Sequence, residues 1–204
     1  MEGRRDRKKR QTGERIRASA LELFAQHGYR QTTIAAIAEH ADVATRTVTL
    51  HFPTKADLLF AGDPFAPESL AARLADRTGD TLDAFGEWLH DTIRDLGEYD
   101  EDLGRPPGEM LSLHAMRPAL IAEDPDLASR AHVFYSELER VTAESLAQEL
   151  GTSADGLAPR LTAYTLVGGL RELYRVDEAS RDTLPALVDR VLAFARAGLH
   201  TLTT

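Results

Sequence analysis

Thr33-Ile34-Ala35-Ala36-Ile37-Ala38-Glu39-His40-Ala41-Asp42-Val43-Ala44-Thr45-Arg46-Thr47-Val48-Thr49-Leu50-His51-Phe52-Pro53-Thr54-Lys55 is the stretch that decides the fold. Ile34, Ile37, Ala38 and Ala41 fall at i, i+3, i+4 and i+7, so they share one face of a helix. Thr32 or Thr33 can cap its N-terminus. After a tight turn at Asp42, Val43 points back toward the core and Thr45 to Leu50 form a second helix. There Val48 faces inward and Thr45, Arg46, Thr47 and Thr49 are left outward. Thr54 and Asp57 follow in the spacing of a capping box, which opens a third helix near Lys55. That helix would aim its N–H groups and Lys55 at an anion such as phosphate. Two short helices joined this way have the layout of a helix-turn-helix, in which one helix braces and the next enters the DNA major groove. Hydroxyl side chains and one arginine suit base edges and phosphates.

This stretch resembles the tetracycline-repressor (TetR) family of bacterial regulators. The resemblance is carried by Thr33-Ile34, Ile37-Ala38, Ala41 and Val43, then Thr47, then His51-Phe52-Pro53 with Lys55 and Leu58. Upstream it takes in Phe24, Gly28-Tyr29 and Thr32. Three positions depart from the family pattern. Asp42 stands where Gly is usual, at a site that needs a left-handed backbone, which Asp tolerates better than most residues. Ala44 replaces the usual Ser cap of the recognition helix, at a cost of about 0.5–2 kcal/mol. Thr49 replaces a late aromatic, so the operator sequence cannot be taken from relatives.

Net charge is −9, yet its distribution is uneven. Residues 1–60 hold 11 Lys/Arg against 7 Asp/Glu, whereas residues 61–204 hold 13 Arg, no Lys and 26 Asp/Glu. A cationic head on an anionic body orients the molecule on DNA and keeps the remainder off it. Arg4, Arg5, Arg7, Lys8, Lys9 and Arg10 concentrate the charge, and residues 1–11 read as a flexible basic arm that follows phosphates or enters the minor groove. There is no cysteine, hence no disulfide or thiolate site. No apolar run approaches the ~20 residues of a membrane span. The charged N-terminus carries no secretory signal, and the expectation is a cytoplasmic protein. No sequence motif for catalysis, metal or cofactor binding is present, so neither an enzyme nor a cofactor is expected.

The remaining pattern is helical, giving an all-α fold: an arm (1–11), a three-helix DNA-binding head (12–60), and a larger helical-bundle body (61–204) for ligand binding and dimerisation. The first helix is expected from about Gly13 to His27, capped by Thr12. Gly62-Asp63-Pro64-Phe65-Ala66-Pro67 breaks the chain after the head. Later helices are expected at about 68–77, 81–96, 109–116, 126–150, 157–175 and 182–199. An acidic loop is expected at Glu98 to Gly108, its carboxylates solvated rather than arranged for Ca²⁺.

In the resembling family the last two helices form the homodimer contact. Here Leu161, Tyr164 and Gly168, then Leu187, Val188, Val191 and Ala195, stand in stripes that could build a four-helix interface. Gly168-Gly169 costs roughly 1 kcal/mol each within a helix, which close contact or a ligand should offset. The resemblance also implies a small-molecule pocket among the central helices. Candidate walls are Phe85, Trp88, Leu89, Thr92 and Ile93, then Met110, His114, Phe134, Tyr135 and Leu138, then Thr165. For any one of them plain core is the commoner reading, Trp88 and Tyr135 being the better pocket candidates for their polar tips and His114 reading as a satisfied core histidine. The functional expectation is therefore a dimeric repressor. Thr45, Arg46, Thr47 and Thr49 would enter the major groove of a palindromic operator, and Thr33, His51 and Lys55 would lie on phosphates. A small-molecule effector would release it. Repression rests on the resemblance alone. The alternative is a helical protein-docking module that never meets DNA, which would have no reason for the hydroxyl-rich face or the charge polarity.

Overall fold

The computed structural model describes residues 4–102, 104–106, 108–173 and 183–204, and among these every regular element is a helix. Three helices form the head: α1 (Arg4–His27), α2 (Ile34–His40) and α3 (Thr45–His51). Ile16, Ala20 and Phe24 of α1 bury one stripe against Ile37, Ala38 and Ala41, with Val48 and Phe52 closing the other side. Each large apolar side chain buried there is worth about 1.5–3 kcal/mol. Gly28 ends α1 in the left-handed region at φ 82°, and its N–H closes back onto the Phe24 carbonyl.

The first helix begins at Arg4, well before the expected Gly13. Residues 4–11 are thus helical and not a flexible arm, since Arg, Lys and Gln are good helix formers and simply extend α1. Thr12 does not cap the helix; its hydroxyl donates to the Lys8 carbonyl one turn back. Met1, Glu2 and Gly3 of the arm lie outside the described residues, as do the expected helix ends at Arg175 and Asp182.

After the head come α4 (Asp57–Phe60), the break at 61–66, and α5 (Pro67–Ala75). The body adds α6 (Thr81–Asp102), α7 (Glu109–Ala115), α8 (Arg117–Ala122), α9 (Pro125–Leu150), α10 (Leu157–Leu173) and α11 (Leu184–Thr203). Helix α10 packs between α9 and α11, α5 lies on α9, and α11 lies on α6. Leu70, Phe85, Leu89, Leu138, Leu146, Leu166 and Val188 fill the centre. Among the described residues no helix is long and apolar enough to cross a membrane.

Helix α6 runs on to Asp102, through the acidic stretch expected to be a loop. Asp100 explains this: it is fully buried, and its carboxylate accepts from Gly108 N (2.8 Å) and Met110 N (2.9 Å). It therefore satisfies the first N–H groups of α7, one of which a local cap would otherwise take.

Candidate nucleic-acid interface

Helix α3 is held by one buried residue, Val48, and presents Thr45, Arg46 and Thr49 fully outward with Thr47 half-buried. The turn before it works as the Asp42 substitution requires. Asp42 sits at φ 50°, and its N–H donates to the Glu39 carbonyl while Val43 N donates to Ala38 O at 2.9 Å. Ala44 adopts the extended cap geometry but gives α3 no side-chain cap bond. The Thr49 hydroxyl donates to Arg46 O, which leaves its lone pairs to accept.

The three residues expected on phosphates fare differently. Thr33 caps α2, its Oγ1 accepting from Ala36 N at 3.1 Å, so the hydroxyl proton is the group it could offer an anion. His51 is half-buried beside α1, where a Cβ at Gly13 would stand 3.3 Å from its Nδ1. Burial, and after it the charge of Lys9, lowers its pKa. Lys55 is a correction. Its ammonium turns inward, donating to the carbonyls of Tyr29 (2.7 Å), Thr32 (3.0 Å) and Arg30 (3.4 Å) over the Tyr29 ring. Three N–H donors meet three acceptors, which also draws the side chain out of water; burial lowers its pKa, offset by Asp124. The expected capping box does form, Thr54 N donating to Asp57 Oδ2 (2.8 Å) and Asp57 N to Thr54 Oγ1 (3.3 Å).

Sequence reading missed Leu50, which is 71% exposed on α3. It also missed the arginines that fasten the head to the body. Arg30 Nε donates to Asp124 at 2.9 Å, Arg130 to Asp57 at 2.7 Å, and Arg105 pairs with Glu22. Arg17 of α1 donates to the Ala61 and Gly62 carbonyls at the break. Such pairs join residues far apart in the chain, and no local pattern announces them.

Among the described residues the ligand-wall candidates are spread over the core and three separate clefts. Phe85, Leu89 and Leu138 are fully buried core, as helical spacing of apolar residues usually means. His114 is buried too, its Nδ1 bonded to Met110 O at 2.8 Å. Trp88 donates to Ser69 Oγ at 3.0 Å and, with Thr92, lines an open cleft between α1, α5 and α6. Phe134 packs on Phe60 and Tyr135. Tyr135 faces a separate cleft of about 400 Å³ between α8, α9 and α10, together with Ser136, Glu139 and Arg171. Thr165 lies elsewhere again, on the outer face of α10 and α11.

That outer face revises the dimer candidates. Val188 and Ala195 are buried inside the protomer. Val191 is spent on Gly169, where a Cβ would come within 2.3 Å of its Cγ1, so Gly169 serves the close α10–α11 contact within one chain. Leu187 is half-buried, whereas Leu161, Tyr164 and Gly168 do lie on the accessible side. The apolar residues exposed beside them are Leu157 (70%), Phe194 (72%) and Leu202. Phe194 and Leu202, with Leu161, border a groove of about 370 Å³ together with Thr165 and Gly198. The missed signal is a second stripe on α11, in which the expected Leu187 aligns with Phe194, Gly198 and Leu202, rotated from the one that enters the core.

Comparison with known proteins agrees with this geometry. Residues 16–61 match the model for bacterial regulatory proteins of the tetR family, and residues 103–200 match the MftR C-terminal domain. The chain is 28% identical over 206 residues to the HTH-type transcriptional regulator TcmR of Streptomyces glaucescens, covering 97% of this chain and 88% of that one. It is 27% identical over 173 residues to the putative mycofactocin biosynthesis transcriptional regulator MftR of Mycobacterium tuberculosis, covering 82% and 80%. Its fold is similar to the Bacillus subtilis regulator FadR solved with stearoyl-CoA, with a TM-score of 0.60 at 20% identity, covering 91% and 98%. A helix-turn-helix head on an all-helical body, matched at both ends by these models, places the chain in the TetR family of bacterial transcriptional regulators.

Proposed function

We propose that the chain is a homodimeric repressor that grips a palindromic operator through α3 and lets go when a small molecule binds its body. The face of α3 carries this reading. Val48 anchors the helix while Thr45, Arg46 and Thr49 stand clear of the protein, with donors and acceptors that match base edges. Thr47 flanks them, and Thr33 and His51 would meet the backbone. Exposed Arg7, Lys8 and Lys9 on the first turns of α1 add cationic charge beside it. A docking module would need neither feature. Head and body divide at about residue 60 in this reading, with the basic first turns of α1 part of the head, and the protein works in the bacterial cytoplasm, where its DNA is. No catalytic step enters.

The apolar face of α10 and α11 supports the dimer, because two such faces would form a four-helix interface and set two heads for two half-sites. The cleft holding Tyr135 and Arg171 is a place for an effector, as stearoyl-CoA is bound by the similar FadR. Selection from a random duplex library tests the reading. An inverted repeat should emerge with half-site centres one or more helical turns apart, about 34–36 Å each. Failure to enrich any motif would overturn it.

A further inference from the structure

Among the described residues the large apolar side chains left exposed are Leu50, Val133, Leu157, Leu161, Tyr164, Phe194 and Leu202. Five of them stand on α10 and α11, and Val133 on α9. Leu50 is the one in the head, and nothing in the folded chain calls for a leucine there. It is 71% exposed, so the core gains little from it. Lys, Arg, Gln and Glu have nearly the same helix propensity as Leu, so helix formation does not explain the choice either.

Position does. At about 100° per residue, Leu50 and Arg46 lie within about 40° of one another on α3, almost opposite the buried Val48. They form the most outward ridge of the helix, one turn apart. In the major groove only thymine offers a methyl group; the other base edges offer donors and acceptors. A guanidinium on this ridge suits guanine, and an isobutyl group one turn on suits a methyl. One turn is about 5.4 Å, which corresponds to one or two base-pair steps of about 3.4 Å.

We infer that Leu50 reads a thymine 5-methyl in each half-site, one or two base pairs from the base read by Arg46. The inference rests on the DNA-binding reading above. The probe is a duplex that the wild-type protein enriches from a random library, with each thymine replaced in turn by deoxyuridine, which deletes only the methyl. At one thymine per half-site the wild-type protein should lose about fourfold in affinity per methyl removed. Leu50→Ala should bind the thymine and deoxyuridine duplexes equally, with an unchanged melting temperature. Leu50→Met, which keeps an apolar side chain, should regain sensitivity to the methyl. If no thymine shows this coupling, Leu50 is not a base reader and the inference falls, even where the repressor reading stands. If the wild-type protein enriches no motif, both fall.

Discussion

Arg117, held between the rings of Phe60 and Phe134, donates to the carboxylate of Asp63 with both side chains buried. Asp63 stands in the break between α4 and α5, and its second oxygen accepts from Phe65 N at 2.8 Å. Arg17 grips the same break from the head through the carbonyls of Ala61 and Gly62. Where a continuous helix would link head to body, this chain uses a bend fastened from both sides.

Removing one partner of that pair strands a buried charge. Asp63→Ala or Arg117→Met should each cost about 3–5 kcal/mol in urea unfolding. The double variant should recover part of the loss, because neither charge is then left alone. Single-variant losses below about 1 kcal/mol would mean the pair does not fasten the bend.

His114 lies under the same bend, with its Nε2 3.9 Å from Asp63. Burial lowers its pKa from 6.5 to about 4; Asp63 and the Met110 carbonyl oppose the shift, and Arg117 and Arg17 add to it. The unfolded chain therefore binds the proton first as pH falls. Stability contributed by neutral His114 is intact above pH 6.5 and lost progressively between 6.5 and about 4, a total of about 3 kcal/mol. Unfolding midpoints across this window should slope for the wild type and flatten in His114→Leu. Parallel slopes would contradict the assignment.

Lys55 separates a structural role from a DNA role. If its ammonium serves the Tyr29, Arg30 and Thr32 carbonyls, Lys55→Met should destabilise the protein by about 1.5–3 kcal/mol. The salt dependence of DNA binding should then stay unchanged. A slope reduced by about 0.9 would instead show that Lys55 neutralises a phosphate.

The head was legible because its signals are local. The period of Ile34, Ile37, Ala38 and Ala41, the turn at Asp42 and the Thr54–Asp57 box each span less than three helical turns, and each appears as read. The body was legible as helices but not as a site. Whether Phe85 is core or Tyr135 is cleft depends on which helix lies opposite, and Asp100 looks like a surface acid until Gly108 folds onto it. The clasp of Arg17, Asp63 and Arg117 was invisible for the same reason. On α11 two apolar stripes compete, and only packing against Gly169 shows which one turns inward.

The basic turns of α1 carry their own expectation. Deleting residues 1–10 should flatten the dependence of log K on log salt by about 0.9 for each phosphate that this segment neutralises. It should also shorten α1, which circular dichroism would register. An unchanged slope would exclude this segment from the DNA-binding surface.

The outer face of α10 and α11 predicts oligomeric state. Phe194→Glu should yield a folded monomer by sedimentation, since Phe194 is 72% exposed in the protomer. Val188→Glu should instead unfold the protein, because Val188 is fully buried. A dimer that survives Phe194→Glu unweakened would place the interface elsewhere.

The most direct test of the whole account is fluorescence anisotropy of the full chain with labelled duplex from the flanks of its own gene. The titration is run at two salt concentrations with unrelated duplex as competitor. The account predicts binding that resists the competitor, weakens with salt, and saturates at two subunits per site or a multiple of two. Binding that the competitor abolishes outright, or none at low salt, would contradict it.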